Sequence, residues 1–306
     1  MDSARLQNFQ IIPTFSPDYQ QMDLKAVIES EIPQENSNQL DIEYKGTVRY
    51  ISPQPLSFAV EKASKTNILE FQFKPELWWI HELGTPNIYE ITVEMFENGV
   101  KIDSLSERTG FRELKLIQRP DEWGESFFFQ LNGVPLFAKG ADWIPHHSFI
   151  PKGRRLGLYC STLEDAKAAN MTMLRVWGGG IMEDNCFYEI CDELGILIWQ
   201  DFPFACAHIP PVWNKDGTPN EFYQGTQIHA RQNVKRIRNH PSIALWCGNN
   251  EIEENAVRLN KDDPKQAEIL DAYCEIAERF LPTLCAELDP TRSYWQIGRA
   301  SCRERV

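Results

Sequence analysis

The chain has 306 residues, a length that suggests about two domains, and its 42% hydrophobic and 25% charged content is ordinary globular composition. A formal net charge of −13 argues against nucleic acid as a partner and offers no basic face to an anionic membrane. No run of about 18 apolar residues predicts a membrane span, and Met1-Asp2-Ser3-Ala4-Arg5-Leu6-Gln7 lacks the apolar stretch of a secretory leader, so a cytoplasmic location is expected.

From residue 10 to about 111 the pattern is strand-like. Leu24 to Ile28, Leu69 to Phe73 and Tyr89 to Met95 alternate apolar and polar residues, and Asn98-Gly99 is a hairpin turn signal. The spacing suits a small antiparallel sandwich, across which Pro75 to Trp79 is expected to pack. From Phe127 the period changes. Val134–Lys139 reads as a strand, and Leu163–Asn170 as a helix with Ser161 or Thr162 as its cap. Met173–Val176 is a strand, and Asp184–Leu194 a helix stopped by Gly195. Leu197–Trp199 is a strand, Gln227–Arg238 a helix, Ile243–Trp246 a strand and Lys265–Glu287 a helix; Tyr294-Trp295 begins a fifth strand. Alternating strands and helices predict a parallel sheet, here the first half of a closed eight-stranded barrel. The predicted fold is an all-β immunoglobulin-like sandwich over 1–111, followed by the N-terminal half of a (β/α)8 TIM barrel over 112–296.

The last ten residues, 297–306, break every pattern before them. They read as the translation of a common short-read sequencing adapter (ATC GGA AGA GCG TCG TGT AGG GAA AGA GTG) and are expected to be an artefact, not a natural basic tail. On that expectation the chain is a fragment.

Residues 241–254 carry the most chemistry. A short apolar run, Ile243 to Trp246, breaks at Gly248 into Asn249-Asn250-Glu251. A parallel strand that ends in two amides and a carboxyl group offers them at the carboxyl end of the sheet, where α/β barrels keep their active sites. A carboxyl group there is partly desolvated, which suits Glu251 to general acid work, and the Asn250 amide fits a sugar hydroxyl. The plainer alternative makes Glu251 the first-turn acid of the next helix. Three more blocks stand at strand ends: Lys139 to Pro145, Leu174 to Gly180, and Trp199 to Phe202. Polar and aromatic residues therefore recur where a barrel has its pocket.

These blocks, together with Cys191 to Ile196, Asn239 to Ile243 and Asp289-Pro290-Thr291-Arg292, resemble the retaining glycosidases of glycoside hydrolase family 2, β-mannosidase type. The resemblance runs over roughly residues 60 to 296. It implies a sugar-binding-like sandwich before the immunoglobulin-like one, expected to be missing here, with Thr109-Gly110-Phe111-Arg112 as the exit into the barrel. It implies Glu251 as general acid/base, Asn250 as partner of the sugar 2-hydroxyl, and Trp177 as a pocket aromatic. The family nucleophile is a second Glu after the seventh strand, and no residue here is assigned to it. The implied partner is an oligosaccharide with a terminal β-mannose, with no cofactor.

Other groups admit two readings. Asp142 and Asp201 bind sugar hydroxyls or order loops. Arg175 reads as an internal clamp for barrel carboxylates, and Trp199 as core at the barrel base. Glu253 and Glu254 read as a solvated helix face and not as substitutes for the nucleophile. His146, His147 and His208 have no metal-ligand companions and read as satisfied or exposed. Gly178-Gly179-Gly180 lacks the Lys-Ser/Thr of a phosphate loop. The eight Cys show no paired metal-like spacing and read as free buried thiols. Nine Trp and 17 Phe suit stacking on sugar faces, although most belong in the core. The competing functional readings are another family 2 specificity, such as β-galactosidase or β-glucuronidase, which the Trp177-Gly178-Gly179-Gly180 block argues against, and a non-catalytic carbohydrate-binding module.

Overall fold

The computed structural model describes residues 4–33, 41–54, 58–253 and 265–296. The first half is a sandwich of two antiparallel sheets. One has the order β1 (Arg5–Phe15), β2 (Met22–Glu31), β5 (Ile68–Phe73); the other has β4 (Ala59–Ser64), β3 (Ile42–Ser52), β6 (Ile88–Glu97), β7 (Val100–Thr109). In β5, Leu69, Phe71 and Phe73 are buried while the residues between them are exposed, the two-residue period of a half-buried strand. They meet Val48, Ile91, Val93 and Met95 of the other sheet. Each such side chain contributes about 1.5–3 kcal/mol when fully buried. At the Asn98-Gly99 turn both residues have positive φ, 50° and 80°, so the turn twists with its strands and pairs Glu97 with Val100.

Three strands follow that the sequence period does not separate from the barrel. β8 (Leu114–Ile117), β11 (Phe128–Leu131) and β12 (Val134–Leu136) form an antiparallel sheet, with a two-residue hairpin, β9 (Pro120–Asp121) and β10 (Gly124–Glu125), between the first two. Val134–Lys139 is therefore not the first barrel strand. Its Phe129, Leu131 and Leu136 layer packs under the barrel against Met173, Leu197 and Leu245.

The barrel part is a five-stranded parallel sheet in chain order: β13 (Gly140–Trp143), β14 (Met173–Val176), β15 (Leu197–Asp201), β16 (Ile243–Cys247) and β17 (Ser293–Trp295). A partial TIM barrel thus follows the sandwich. Alternation sets its two faces. Leu174, Val176 and Ile198 pack outward with the helices, whereas Met173 and Leu197 join the layer below.

Helix boundaries depart from the sequence pattern where a glycine or a cap intervenes. The helices α1 (Ile150–Arg155) and α2 (Leu158–Ala168) come between β13 and β14. α2 starts behind Gly157 at φ +67°, with no side-chain cap, so Ser161 and Thr162 lie inside it. α3 (Asn185–Leu194) stops at left-handed Gly195, φ +71°. α4 (Glu221–Ile237) starts six residues before Gln227, where the Asn220 side chain accepts from Tyr223 N at 2.9 Å. The long helix before β17 is α-helical over Lys265–Tyr273, π-helical over Cys274–Phe280 and α-helical again over Leu281–Leu288. None of the described helices is long and apolar enough to cross a membrane.

The sandwich is bonded to the amino ends of the barrel strands. Pro75 to Trp79 serves this joint and does not cross the sandwich: Trp78 is fully buried in the lower layer, and its Nε1 donates to Asp192 O at 2.9 Å. Arg112 donates from Nε to Pro241 O at 2.9 Å and from Nη2 to Ile243 O. Asn239 accepts from Ile11 N at 3.1 Å and donates to Phe9 O at 2.9 Å. Backbone groups at both edges are thereby satisfied.

Candidate active site

β16 is apolar and buried over its whole length. At its carboxyl end the backbone runs too close to β17 for any side chain: a Cβ on Gly248 would lie 2.2 Å from Tyr294 Oη and 2.5 Å from Gln296 O. Asn249 is fully buried, accepts from Ile252 N at 3.0 Å and donates to Gln296 O at 2.8 Å. It caps the turn that follows and is not a ligand group. Asn250 N donates to Phe204 O at 2.8 Å, tying the strand end to the loop after β15.

Between these anchors Glu251 sits at φ +57°. That left-handed conformation is uncommon for a residue with a Cβ and is held only where neighbours over-determine it. It takes Glu251 out of helical geometry, so the residue is not a plain first-turn acid. Its half-buried side chain makes no hydrogen bond among the described residues.

Arg175 lies on β14, with only 11% of its side chain exposed, and joins the predicted site residues. Its Nε and Nη2 donate to Asp201 at 3.2 and 2.6 Å, Nη2 also to Asn250 Oδ1 at 2.8 Å, and Nη1 to Asp142 at 3.3 Å. The Asp201 side chain is closed to solvent and accepts further from Gly178 N and Trp199 Nε1, both at 3.0 Å. Burial pushes the Asp201 pKa up, and Arg175 opposes that shift; Asp201 in turn raises the Arg175 pKa over the opposing effect of burial. A guanidinium and two further N–H donors occupy both oxygens of this carboxylate. Asp201 therefore orders the site and has no free face for a sugar hydroxyl. Asp142 is 41% exposed and has one long bond, so it keeps that capacity. Trp199 is half-buried and packs against the lower layer as well as reaching Asp201.

The Asn250 amide is thereby oriented. Arginine only donates, so the atom facing it is the oxygen. The amide acceptor is used, and Nδ2 keeps its two hydrogens for something else, with no partner among the described residues.

Trp177 is half-buried just beyond β14. The glycine run after it is a packing requirement. A Cβ on Gly179 would lie 2.1 Å from the Trp177 ring, and one on Gly178 2.8 Å from Phe202 O. A cavity of about 430 Å³ opens inside the curve of the sheet, lined by Phe127, Phe137, Asp142, Arg175 and Trp199 among others. Glu251 is not among its lining residues.

Other groups fall away from this cluster. Glu253 is not on a solvated face: it is half-buried and accepts from Tyr273 Oη at 3.4 Å. Glu254 lies outside the described residues. His147 Nδ1 accepts from Phe149 N at 2.8 Å, and His208 is exposed. His146 is neither satisfied nor exposed. Both its ring nitrogens are enclosed with no partner among the described residues, and its ring sits 4.2 Å from that of Tyr159. No group of three or more His, Cys, Asp or Glu gathers as metal ligands among the described residues. The described thiols are free, but Cys160, Cys186 and Cys206 are exposed where burial is expected, because each sits on a helix face or loop that meets solvent.

Two contributors leave no clear mark in the sequence. Phe204 acts through its carbonyl, which no side chain announces. Gly178 acts through its N–H, and its place in a glycine run signals only a close approach.

Two family models match the chain. One, described as Glycosyl hydrolases family 2, covers residues 4–112, and one described as Glycosyl hydrolases family 2, TIM barrel domain, covers 182–295. The chain is 37% identical over 240 residues to "Beta-mannosidase B" of Neosartorya fischeri, covering 74% of this chain and 28% of that protein. Among solved structures it is similar to the β-D-mannosidase of Dictyoglomus thermophilum, with TM-score 0.76, 34% identity, and 96% of this chain against 35% of that one. A β-glucuronidase of Bacteroides uniformis shares the fold alone, at TM-score 0.69 and 19% identity over 96% of this chain and 33% of that one. The chain thus spans about a quarter to a third of the length of these proteins.

Proposed function

The chain belongs to glycosyl hydrolase family 2, and on that premise we propose that the whole protein is a retaining exo-β-mannosidase in which Glu251 is the general acid/base. The observation that carries the reading is the Arg175–Asn250 bond at 2.8 Å, beside the left-handed Glu251. It sets an amide donor and a carboxyl group side by side at the carboxyl end of a barrel strand, and it does so before any substrate arrives. In this reading Asn250 Nδ2 donates to the sugar 2-hydroxyl. Glu251 protonates the glycosidic oxygen as it leaves and then takes a proton from the water that enters. Trp177 stacks on the sugar, and Asp142 accepts from a hydroxyl.

Retention needs a second carboxyl group about 5–5.5 Å from the first, to attack the anomeric carbon. We assign that part to a glutamate after a seventh barrel strand of the whole protein, which lies outside the five strands described here. Similarity to proteins named as β-mannosidases supports mannose as the sugar, and the resemblance of the Trp177-Gly178-Gly179-Gly180 block to β-mannosidase segments is part of that support. The substrate is then an oligosaccharide with a non-reducing terminal β-mannose. The test is the kcat/KM of the full-length protein on p-nitrophenyl β-mannoside, β-galactoside and β-glucuronide. A clear preference for the mannoside is expected. Comparable values on the galactoside would leave only the family.

A further inference from the structure

A second cavity lies at the other end of the barrel strands, where the sandwich meets them. It measures about 300 Å³, and its lining includes Thr14, Arg112, Glu113, Lys115, Arg238 and Arg292. Four of these are cationic and one is anionic, in a chain whose net charge is −13. Glu113 is spoken for: it pairs with Lys115 at 2.8 Å and accepts from Tyr19 Oη at 2.8 Å. Three guanidiniums remain.

Two of the three have counter-charges. Arg292 donates to both oxygens of Asp289, at 2.8 and 3.0 Å, and Arg238 reaches Glu29 at 3.2 Å. Arg112 has none. It is 8% exposed, and its described bonds run only to the carbonyls of Pro241 and Ile243. Its Nη1 has no partner among the described residues. Arg238 is 3% exposed; its Nη1 donates to Leu288 O at 3.1 Å and its Nη2 to Asn8 Oδ1 at 2.6 Å, while its Nε is enclosed with no partner among the described residues. Burial pushes the Arg112 pKa down to about 9, and neighbouring Arg292 adds to that, against partial relief from Asp289 and Asp192. A buried cation without a counter-ion is costly, and backbone carbonyls compensate it only in part. The unmade Nη1 donor of Arg112 and its uncompensated charge therefore stand at the wall of this space, with the charges of Arg238 and Arg292 beside it.

We propose that this cavity is an anion site, in which Arg112 Nη1 holds a small oxyanion between the sandwich and the barrel, in the field of Arg238 and Arg292. A free guanidinium donor in a partly enclosed cationic space matches an oxygen of a phosphate or carboxylate better than a spherical ion such as chloride. A bound oxyanion would bridge β1 and the Arg112 segment to the loops before β16 and β17, and so would stiffen the joint without touching the Glu251 end.

The test uses the full-length protein, with inorganic phosphate and acetate as probes and sodium chloride at matched ionic strength as control. Calorimetric titration should give saturable one-to-one binding, with thermal unfolding shifted upward by the oxyanion and not by chloride. Arg112→Met should remove the binding. Because that variant also loses two bonds at the joint, Thr14→Glu provides the second arm. It sets a tethered carboxylate at an exposed position on the cavity wall, and should weaken phosphate binding at least about tenfold while the fold is kept. Tighter binding of phosphate than of acetate assigns a tetrahedral ligand, and the reverse order a carboxylate. The proposal fails if neither anion binds saturably, or if Thr14→Glu, folded, leaves the affinity unchanged.

Discussion

One nitrogen of Arg175, Nη2, lies 2.6 Å from Asp201 Oδ2 and 2.8 Å from Asn250 Oδ1, so a single guanidinium couples a buried carboxylate to the amide beside Glu251. Asp201 fixes the arginine and the arginine fixes the amide. The strand ends β14, β15 and β16 are thereby locked together at the point where the proposed chemistry occurs.

Arg175→Lys keeps the charge but loses the planar fork. One ammonium cannot serve Asp201 twice and Asn250 as well. The loss of a charge-assisted bond of about 1.5–3 kcal/mol should lower mannoside kcat/KM by about 10- to 150-fold, with a smaller change in unfolding midpoint. Asp201→Asn should act on stability first, since it leaves a guanidinium with 11% side-chain exposure facing a neutral partner. Breaking such a pair costs about 3–5 kcal/mol, readable by urea unfolding. Equal stability losses in the two variants would remove Asp201 as the anchor.

Glu251→Gln should depress turnover of mannosides with poor leaving groups by about 10²–10⁴-fold, and of those with activated aryl leaving groups far less. A general acid matters most when the departing oxygen is basic. Parallel losses on both substrate types would assign Glu251 a binding role only.

Gly179→Ala puts a methyl group where the Trp177 ring now lies, 2.1 Å from the built Cβ. The ring must swing away, and overpacking of this kind costs about 1–3 kcal/mol. If Trp177 stacks on the sugar, KM should rise more than kcat falls. Gly225→Ala is the control: it is inside α4 with nothing within 4 Å of the added carbon. Replacing that helical glycine should stabilise by about 0.5–1 kcal/mol and leave KM alone. Kinetics on both variants separate the ring from a general packing effect.

Much of this architecture was legible in the chain, for a physical reason. Strands such as Leu69–Phe73 and Ile243–Trp246 carry their environment in their side-chain period, so the sandwich and four barrel strands could be read directly. Val134–Lys139 misled because a half-buried hairpin strand and a barrel strand have the same period; what separates them is the Asn132-Gly133 turn, which pairs Val134 with Leu131 and Leu136 with Phe129. At the site, Asn250 and Glu251 were visible as polar residues at the end of an apolar strand. The sense of Asp201 was not. A carboxylate that binds sugar and one that holds Arg175 look alike in one dimension, and the choice rests on four donors, two of them on an arginine 26 residues away. The left-handed Glu251 was also hidden, since strain of this kind comes from anchors on Phe204 and Gln296.

Acid should weaken the sandwich–barrel joint through Glu29. This β2 carboxylate pairs with Lys235 and with Arg238, both on the barrel side. Burial alone would raise its pKa, but the hydrogen bond and charge of Lys235, with those of Arg238, outweigh that and set it below its ordinary value of 4.5. The sign follows from linkage. A carboxylate with a depressed folded pKa binds fewer protons folded than unfolded, so its stabilisation is fully present above 4.5 and is lost as pH falls through the lower folded value. Glu29→Gln should therefore lower the urea midpoint at neutral pH, and the gap from the parent protein should narrow progressively as the pH falls below 4.5. Lys235→Met should reproduce part of the loss with the same pH dependence. A gap that stays constant on acidification would place the effect in packing and not in the charge of Glu29.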